Sequence, residues 1–339
     1  MIPEAISLEV VVENYPLKEP FCITGHTQIN AEVVTVRLMR NNRVGRGEAS
    51  GVYYRKDEDS SGLVSKIEAV RSTIEKGISR KSLQDLLPPG GARNAVDCAL
   101  WDLDAQSAKV PVWQLAGLDE PRPLVTTFTC PANDPDHMAS TARRYTHAKA
   151  LKLKLTGESI DVERVRAVRA MRPDVWLGVD ANQGFTLNSL ERLMPVLVQA
   201  GVQLIEQPFK VGQESLLDNI DSPIPLASDE SVQTRADLPA QVGRVEVVNI
   251  KLDKCGGLTE GLAMAREARA LGLQVMVGNM IGTSLAMAPA FLVGQLCQVV
   301  DLDGPIFLKS DRTPAVEYED GLIRCPPDLW GNVERAYGH

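Results

Sequence analysis

The segments ALKLKL (residues 150–155), VWLGVDA (175–181) and VQLIEQP (202–208) are short apolar runs that helix-like stretches separate. Polar residues near the ends of such runs recur about every 22 to 26 residues. A repeated strand–loop–helix–loop unit has this length, so the pattern predicts parallel strands that alternate with helices. The five other runs of this kind are VTTFTC (125–130), IPLASDE (224–230), VEVVNIKL (245–252), LQVMVGNM (273–280) and CQVVDLDG (297–304). Eight units predict an α/β fold, a (β/α)8 barrel.

A doubly wound open sheet is the main structural alternative to this barrel. Such a sheet usually carries a glycine-rich phosphate loop after its first strand. The nearest approach in this chain is Gly256-Gly257, which is too short a signal to indicate a nucleotide. The regular spacing therefore favours the barrel.

The chain before the barrel has strand patterns first and helical patterns afterwards, which is typical of a small α+β domain. A helical pattern over about 92–108 places Val96, Ala99, Leu100 and Leu103 on one apolar face. The other predicted elements are strands at 5–12, 32–38 and 44–49 and a helix over about 60–78.

Prolines 111, 121 and 123 indicate a boundary between the two parts. We therefore predict an α+β capping domain over residues 1–120, completed by about 306–339. The barrel is predicted over residues 121–305.

Composition excludes several classes of function. The 339 residues carry a formal net charge of −8, so phosphate backbones and anionic membranes have no overall attraction to the chain. Neither a secretory signal nor a long apolar segment is evident. Six scattered cysteines without a CxxC pair are typical of small buried thiols in a reducing compartment. We expect a cytoplasmic protein that acts on a small molecule, with no nucleic-acid or membrane partner.

Two lysines interrupt the apolar run at 150–155. Lys152 and Lys154 are two residues apart, so their side chains point to the same side of a strand. In an edge strand they would form a solvated stripe. In a barrel they would face the mouth, where like charge and a nearby cation would lower a lysine pKa enough for it to act as a base.

Three carboxylates end three successive predicted strands, namely Asp180, Glu206 and Asp229. Singly, each of these residue types is commonest as a helix cap or turn residue. Together on one rim they would repel one another without a counter-ion. All-oxygen ligands suit Mg²⁺, so we predict one Mg²⁺ per chain, with Mn²⁺ as an acceptable substitute.

Closure of eight strands would bring two lysines face to face. Lys154 ends strand two and Lys251 follows strand six, which lies diametrically opposite. Asp301 and Asp303, on strand eight, share one side of their strand and lie opposite strand four. A substrate carboxylate on the metal, with its α-carbon between the lysines, would lose a proton on one face and regain it on the other. The metal would spread the charge of the enediolate, and the carbon would be inverted.

These residues resemble the enolase superfamily, muconate-lactonizing subgroup, over nearly the whole chain. The resemblance rests on the ordered set of Lys152-Leu153-Lys154, the three carboxylates and Lys251. It implies that Lys154 and Lys251 are catalytic, that Lys152 tunes Lys154, and that Asp180, Glu206 and Asp229 hold the metal.

The pair Asp301-Leu302-Asp303 is similar to the DxD of dipeptide epimerases, where it holds the substrate's α-ammonium group. In a turn before Gly304-Pro305 the same residues would only cap the chain. The resemblance therefore implies a dipeptide epimerase. An N-acylamino acid racemase, an o-succinylbenzoate synthase or a cycloisomerase of the same superfamily stays open, as does a metal-holding scaffold without catalysis.

Two loops of the capping domain are expected to contact the substrate's side chain. Epimerases for Ala-Glu carry an Arg in the first loop, and His26 takes that place when the segment 19–27 is aligned by eye. His is shorter and only partly charged near neutral pH, so we do not expect restriction to Glu. Thr24 and, in the second loop, Tyr53 and Tyr54 are expected to line a pocket for this side chain. The preferred dipeptide stays open, and a homo-oligomer is possible.

Overall fold

The structure is a computed structural model that describes residues 5–332, apart from the side chain of Asn219. Residues 1–4 and 333–339, which the sequence assigned to the capping domain, lie outside this range.

The N-terminal part is an antiparallel sheet in the order β1-β2-β3. Its central strand buries Val34, Val36 and Leu38, because alternate side chains of a strand face the same side. The first strand is longer than the predicted strand at 5–12, because β1 continues to Ile23 and joins β2 through a tight turn. The strands are β1 (Ser7–Ile23), β2 (His26–Arg40) and β3 (Arg43–Ser50).

Five helices follow this sheet. The helix predicted over 60–78 is two helices, because the chain leaves helical geometry at Val70. The helix predicted over 92–108 is present as α4, while α3 had not been predicted. The helices are α1 (Ser60–Ala69), α2 (Arg71–Glu75), α3 (Arg80–Leu86), α4 (Gly91–Ala108) and α5 (Val112–Leu115).

Eight parallel strands form the second part, and they pair in chain order from first to last. A strand is present in each of the eight predicted runs, so the predicted barrel fold is confirmed. After the short strand β4 (Leu124–Val125), the eight strands are β5 (Thr127–Cys130), β6 (Ala150–Lys154), β7 (Trp176–Asp180), β8 (Leu204–Glu206), β9 (Leu226–Ser228), β10 (Val247–Ile250), β11 (Gln274–Val277) and β12 (Val299–Val300).

Side chains nearly close the barrel between its first and last strands. The backbone N–H of Thr129 donates to Asp303 Oδ2 at 2.6 Å, and that of Leu302 donates to Thr126 Oγ1 at 3.0 Å. Thr127 Oγ1 also donates to Asp301. The residues after β12 therefore meet β5, as the barrel requires.

The helices around the barrel are less regular than the sequence pattern. The connections after β8 and β9 carry 3-10 helices, Glu214–Asn219 and Arg235–Gln241, where helix-like stretches had been expected. Pro239 lies inside the second of these, and its ring disfavours a longer α-helix. A third 3-10 helix, Gly304–Phe307, follows β12. The α-helices are α6 (Pro135–Arg144), α7 (Asp161–Met171), α8 (Leu187–Gln199), α9 (Leu252–Cys255), α10 (Leu258–Ala270) and α11 (Ser284–Gly294).

The chain after the barrel returns to the N-terminal sheet. β13 (Glu317–Glu319) and β14 (Leu322–Arg324) form a small sheet with β4. Before them, the guanidinium of Arg312 lies 2.6 Å from Glu13 and 2.7 Å from Glu48, on β1 and β3. The domain limits at 120 and 305 stay a prediction.

Gly256 and Gly257 give the capping helix α4 room to approach the barrel. Arg93 of this helix donates to the carbonyl oxygens of Cys255, at 2.5 Å, and of Gly256, at 3.2 Å. A Cβ atom at Gly257 would lie 2.6 Å from the Asp97 side chain. The glycine pair thus serves helix docking in this fold.

The six cysteines carry free thiols; Cys98, Cys130 and Cys255 are buried, and the other three are partly buried. Within residues 5–332, every helix is too short or too polar to cross a membrane.

Asp97 of α4 contacts Thr259 of the barrel part, and we expect this contact to make the stability of the protein depend on pH. It accepts hydrogen bonds from the N–H of Thr259 at 2.9 Å and from its hydroxyl at 2.6 Å, and burial raises its pKa from 3.8 to about 6. Because folding favours the protonated form, stability falls as the pH rises between these two values, and the loss is complete above the higher one.

We expect Asp97→Asn, which cannot ionise, to remove this pH dependence. Between pH 5 and pH 8 the wild type should lose about 1.4 kcal/mol more unfolding free energy than the variant, measured by urea denaturation. The exposed Asp85 of α3 provides the control Asp85→Asn. An equal pH dependence in both variants would contradict the assignment.

Candidate active site

A cavity of about 430 Å³ opens at the carboxyl ends of the barrel strands. The barrel forms its floor, while the turn between β1 and β2 and the loop 51–60 of the capping domain form its outer wall. Its volume is in the range of small-molecule sites, and its position is where active sites of such barrels lie. Lys152, Lys154 and Lys251 all line it.

Lys152 and Lys154 lie on β6 and are 3% and 6% exposed. β6 pairs with β5 on one side and β7 on the other, so the edge-strand interpretation is excluded. The ammonium of Lys154 lies 2.5 Å from Asp180 Oδ2. That of Lys152 contacts Asp301 and lies 3.3 Å from Glu206 Oε2. Both lysines therefore point into the barrel mouth.

Lys251 follows β10, on another side of the cavity, and its ammonium lies 2.7 Å from Asp229 Oδ2. Lys254, three residues further on, was missed by the sequence reasoning. Its ammonium donates to Asp229 Oδ1 at 2.5 Å, and to the carbonyl oxygens of Val232 and Asn249 at 3.0 Å. The sequence feature that could have indicated this role is the spacing of Lys254, one helical turn after Lys251. Lys254 contacts the Asp229 oxygen that Lys251 does not contact.

Asp180, Glu206 and Asp229 are at most 1% exposed and lie at the ends of β7, β8 and β9. Asp180 and Glu206 are directly paired in the register of these strands. Burial and the Asp180 charge raise the pKa of Glu206 to about 7. Burial opposes ionisation of Asp229 as well, but Lys251 and Lys254 hold its pKa below the usual range.

Buried carboxylates raise the pKa values of two of these lysines. We predicted a lowered pKa for a lysine at the mouth. Burial does lower the pKa of Lys251, but Asp229 and Glu206 outweigh burial and raise it. The pKa of Lys152 is raised in the same way by Asp301, Glu206 and Asp180. The expected lowering of a lysine pKa on β6, which depends on a nearby cation, stays a prediction.

The donor atoms at this end of the barrel fit a hard cation. Among residues 5–332, no three acidic, histidine or cysteine side chains are already arranged as ligands around one point. Asp180 and Asp229 instead contact Lys154 and Lys251. Three buried side-chain oxygens near them, however, have no hydrogen-bond partner among the described residues: Asn182 Oδ1, Glu230 Oε2 and Asn249 Oδ1. Oxygen donors of this kind suit Mg²⁺.

Glu230 is a further acidic residue that the sequence reasoning missed, although it directly follows Asp229. It lines the cavity, and burial together with Asp229 and Asp180 raises its pKa to about 8. Asn182 Nδ2 donates to its other oxygen at 3.3 Å. Asn249 lies on the Lys251 side of β10 and donates to Glu206 Oε1 at 2.7 Å. Asn249 lies two residues before Lys251, and this spacing could have predicted that both side chains face the cavity.

Asp301 and Asp303 both line the cavity, but each already has partners in the protein. Asp301 accepts from Lys152 and Thr127, and Asp303 accepts from the N–H of Thr129. Burial favours protonation of Asp301, yet the Lys152 ammonium lowers its pKa. Burial and the Asp301 charge raise the pKa of Asp303 to about 6. Asp301 is therefore paired with a cation, whereas Asp303 accepts a hydrogen bond from a neutral backbone N–H.

The capping loops contribute three of the four predicted residues to the cavity. His26 and Tyr53 line it, and their rings stack with centroids 4.4 Å apart and planes 10° apart. Thr24 is not among the lining residues and faces the barrel instead, where it donates to the carbonyl oxygens of Ala181 and Leu155. Thr24 therefore does not line this cavity, and its predicted contact with the substrate stays a prediction. Tyr54, the neighbour of Tyr53 in the second loop, also lines the cavity.

Family comparisons agree with this fold. Residues 5–117 match the family described as mandelate racemase / muconate lactonizing enzyme, N-terminal domain. Residues 137–331 match the family described as enolase C-terminal domain-like. The chain belongs to the enolase superfamily, as the resemblance in the sequence indicated.

The similar proteins are epimerases and racemases. The chain is 40% identical over 319 residues to L-Ala-D/L-Glu epimerase of Escherichia coli (strain K12), which covers 94% of this chain and 99% of that protein. It is 37% identical over 292 residues to N-acetyl-D-glutamate racemase of Pseudoalteromonas sp, covering 84% and 90%. The chain is accordingly an enzyme of the isomerase class.

A solved structure from Agrobacterium tumefaciens has a TM-score of 0.93 with this chain. It is 39% identical in sequence and covers 96% of this chain, while this chain covers all of that one. It is described as an enolase family member with homology to dipeptide epimerases, with bound sodium and L-Ala-L-Glu and an ordered loop.

The buried cation of Lys254 should be essential for stability. We expect Lys254→Met to lower the unfolding free energy by about 3–5 kcal/mol, because it leaves the Asp229 carboxylate partly unpaired in a buried site. Chemical denaturation monitored by circular dichroism would measure the loss. The control is Lys210→Met, at an exposed lysine. Equal stabilities for the two variants would contradict the role of Lys254.

Proposed function

We propose that this protein is a dipeptide epimerase that inverts the α-carbon next to the free carboxylate. The observation that carries the proposal is the placement of Lys154 and Lys251 in one cavity, on β6 and after β10, with buried carboxylates on the strands between them. Lys154 takes the α-proton from one face and Lys251 returns a proton to the other. Because the two bases act on opposite faces, the configuration inverts.

Asp180, Glu206 and Asp229 are the residues we propose for holding one Mg²⁺, with Mn²⁺ as a substitute. The oxygen of Glu230 that lacks a partner among the described residues supports a donor set of this kind. When bound, the cation supplies positive charge beside the substrate carboxylate as the α-proton leaves. The sodium ion in the Agrobacterium tumefaciens structure is a hard cation too.

Lys152 has a supporting role in this proposal. Its ammonium contacts Asp301 and lies 3.7 Å from Asp180 Oδ2, the oxygen that Lys154 also approaches. It therefore competes for the carboxylate that faces Lys154 and adds positive charge beside it. We propose that Lys152 tunes the basicity of Lys154 and does not itself move the α-proton.

Asp301 and Asp303 are proposed to hold the ammonium group of the dipeptide. Charge-assisted hydrogen bonds between a carboxylate and an ammonium are among the strong ones in proteins. Asp303 contributes more to this than Asp301, since its protein partner is a neutral N–H while that of Asp301 is the Lys152 ammonium.

An N-acylamino acid racemase is the second candidate. Asp301 is already neutralised by Lys152, so one member of the pair does not need a substrate ammonium. The similarity to N-acetyl-D-glutamate racemase points the same way. The proton transfers between Lys154 and Lys251 would be the same, and only the group at the amino end of the substrate would differ.

The side chain next to the free carboxylate is proposed to vary beyond Glu. The part of the cavity that the capping domain forms carries the stacked His26 and Tyr53, and one guanidinium, Arg55. Arg55 is turned away, toward the carbonyl of Lys254 and the side chain of Gln233. The carboxylates of this wall are Glu32, Asp57, Glu58 and Asp59. Neutral polar and aromatic side chains suit such a wall better than an acidic one.

We also propose a cytoplasmic setting, since free cysteine thiols such as those of this chain persist in a reducing compartment. The proposed partner is a small-molecule dipeptide.

Proton exchange in D₂O tests the proposed reaction. With Mg²⁺ present, pools of dipeptides should gain one dalton at the inverted carbon, measured by mass spectrometry, and treatment with EDTA should stop the gain. Lys154→Ala and Lys251→Ala should each lower full epimerisation by about 10²–10⁴-fold, because each removes one proton-transfer group. Lys210→Ala, at an exposed lysine, is the control. Normal turnover in both active-site variants would refute the two-base assignment.

Asp303→Asn separates the two candidate substrates. The variant keeps an oxygen for the N–H of Thr129 but loses the negative charge. We expect kcat/KM for L-Ala-L-Glu to fall about 10–100-fold, the loss of a charge-assisted bond, with little change for N-acetylglutamate. Faster wild-type turnover of N-acetylglutamate, with no effect of the substitution on L-Ala-L-Glu, would favour the N-acylamino acid racemase.

A further inference from the structure

Thr24 joins the capping domain to the strand end that carries Lys154. It lies in the turn between β1 and β2, and its hydroxyl oxygen is 2.8 Å from the carbonyl oxygen of Ala181 and 3.1 Å from that of Leu155. Leu155 directly follows Lys154, and Ala181 directly follows Asp180. One hydroxyl therefore donates to the backbone of two neighbouring strands, one residue beyond the groups that face the substrate.

The surrounding chain makes room for this contact. A Cβ atom at Gly184 would lie 2.7 Å from Thr24 Oγ1, so a glycine there allows the hydroxyl to approach the strand ends. Two residues before Thr24, the carbonyl oxygen of Cys22 accepts from the N–H of Ala132 at 3.0 Å. The turn consequently rests on the ends of β5, β6 and β7 together.

A different part of the capping domain holds the strand end that carries Lys251. Asp253 lies two residues after Lys251, on the single-turn helix α9. Its Oδ1 accepts from the backbone N–H of Ser50 at 3.0 Å and from the side-chain amide of Asn94 at 3.0 Å. Ser50 ends β3 and Asn94 belongs to α4, so these contacts share no residue with those of Thr24.

We propose that the capping domain positions the two lysines independently, through Thr24 for Lys154 and through Asp253 for Lys251. The proposal rests on the two-base function above and assigns two positioning residues to it. A proton-transfer group must reach its target within hydrogen-bond distance, and a displacement of 1 Å can cost about 10²-fold in rate. Each contact therefore governs one of the two proton transfers and leaves the other nearly intact.

Exchange of the α-proton for a deuteron without inversion, measured in D₂O, distinguishes this proposal from a general loss of structure. A diastereomer whose own lysine is intact still loses its α-proton and regains a deuteron from the same lysine, even when conversion to the other diastereomer is slow. A diastereomer whose lysine is displaced loses both exchange and conversion. Exchange is first measured from each diastereomer separately with the variants Lys154→Ala and Lys251→Ala. These reactions show which lysine removes the α-proton of which diastereomer.

We expect Thr24→Val to slow α-proton exchange about tenfold from the diastereomer that Lys154 serves, with exchange from the other one within about twofold of wild type. Asp253→Ala should give the opposite pattern. Thr24→Ser and Asp253→Asn, which keep the hydroxyl and the accepting oxygen, should restore exchange. Thr27→Val is the matched control, because Thr27 lies in the same hairpin but is exposed and contacts Cys22.

Equal slowing from both diastereomers, or slowing of the same one by both variants, would overturn the proposal. Circular dichroism monitors the fold, and Asn94→Ala, which removes one of the two donors to Asp253, replaces Asp253→Ala if that variant unfolds. Absence of exchange in the wild type with every dipeptide and N-acetylglutamate would refute the proposed function itself. Exchange in the wild type with symmetrical losses in the variants would refute only the positioning roles.

Discussion

The charged side chains buried at one end of the barrel constrain the arrangement of the residues around them. Removing an ion from water costs several kcal/mol unless an opposite charge lies close, so each buried lysine must meet a carboxylate. Lys154 meets Asp180 at 2.5 Å, and Lys251 and Lys254 share Asp229. Burial and the neighbouring carboxylates raise the pKa values of Glu206 and Glu230, because the acidic groups here outnumber the lysines. A site of this kind holds its geometry only inside a rigid scaffold.

Parallel strands supply that scaffold because they deliver their carboxyl ends to a single rim. Asp180 and Glu206 are paired in register, and Lys154 is paired with Asp180 in the same row. Since side chains alternate along a strand, Lys152 and Asn249 face the same interior as Lys154 and Lys251. The barrel thereby converts residues that are 22 to 54 positions apart in the chain into direct hydrogen-bond partners.

The capping domain completes the cavity and also supports the barrel from outside. Arg93 and Asp97 of α4 reach the loop after Lys251, and Thr24 reaches the strand ends next to Lys154. Arg93 and Thr24 donate to the carbonyl oxygens of Cys255 and Ala181, and Asp97 accepts from the N–H of Thr259. Such backbone groups need a hydrogen-bond partner when they are buried. The domain that lines the outer wall of the cavity therefore also contacts the strand ends next to the lysines.

The chain's own residues determined the fold class and the members of the charged cluster. The period of the apolar runs indicated eight strands, and the polar residues that end them named Lys152, Lys154, Asp180, Glu206 and Asp229. Such features depend on local pattern, because a strand that is buried on both sides must be apolar and charged exceptions to this rule stand out. The 3-10 helices after β8 and β9 gave no comparable signal, since a short turn of either helix type has the same composition.

Only the tertiary structure decided how the charges pair and which capping residues contact the cavity. Lys254 and Glu230 look like ordinary surface residues beside their neighbours in the sequence, and burial alone reveals them. The orientation of Thr24 depends on carbonyl groups more than a hundred residues away. The pKa values of Lys152 and Lys251 follow from the carboxylates that face them across the mouth. Distances between remote residues set these properties, because electrostatic interactions depend on separation in space and on burial.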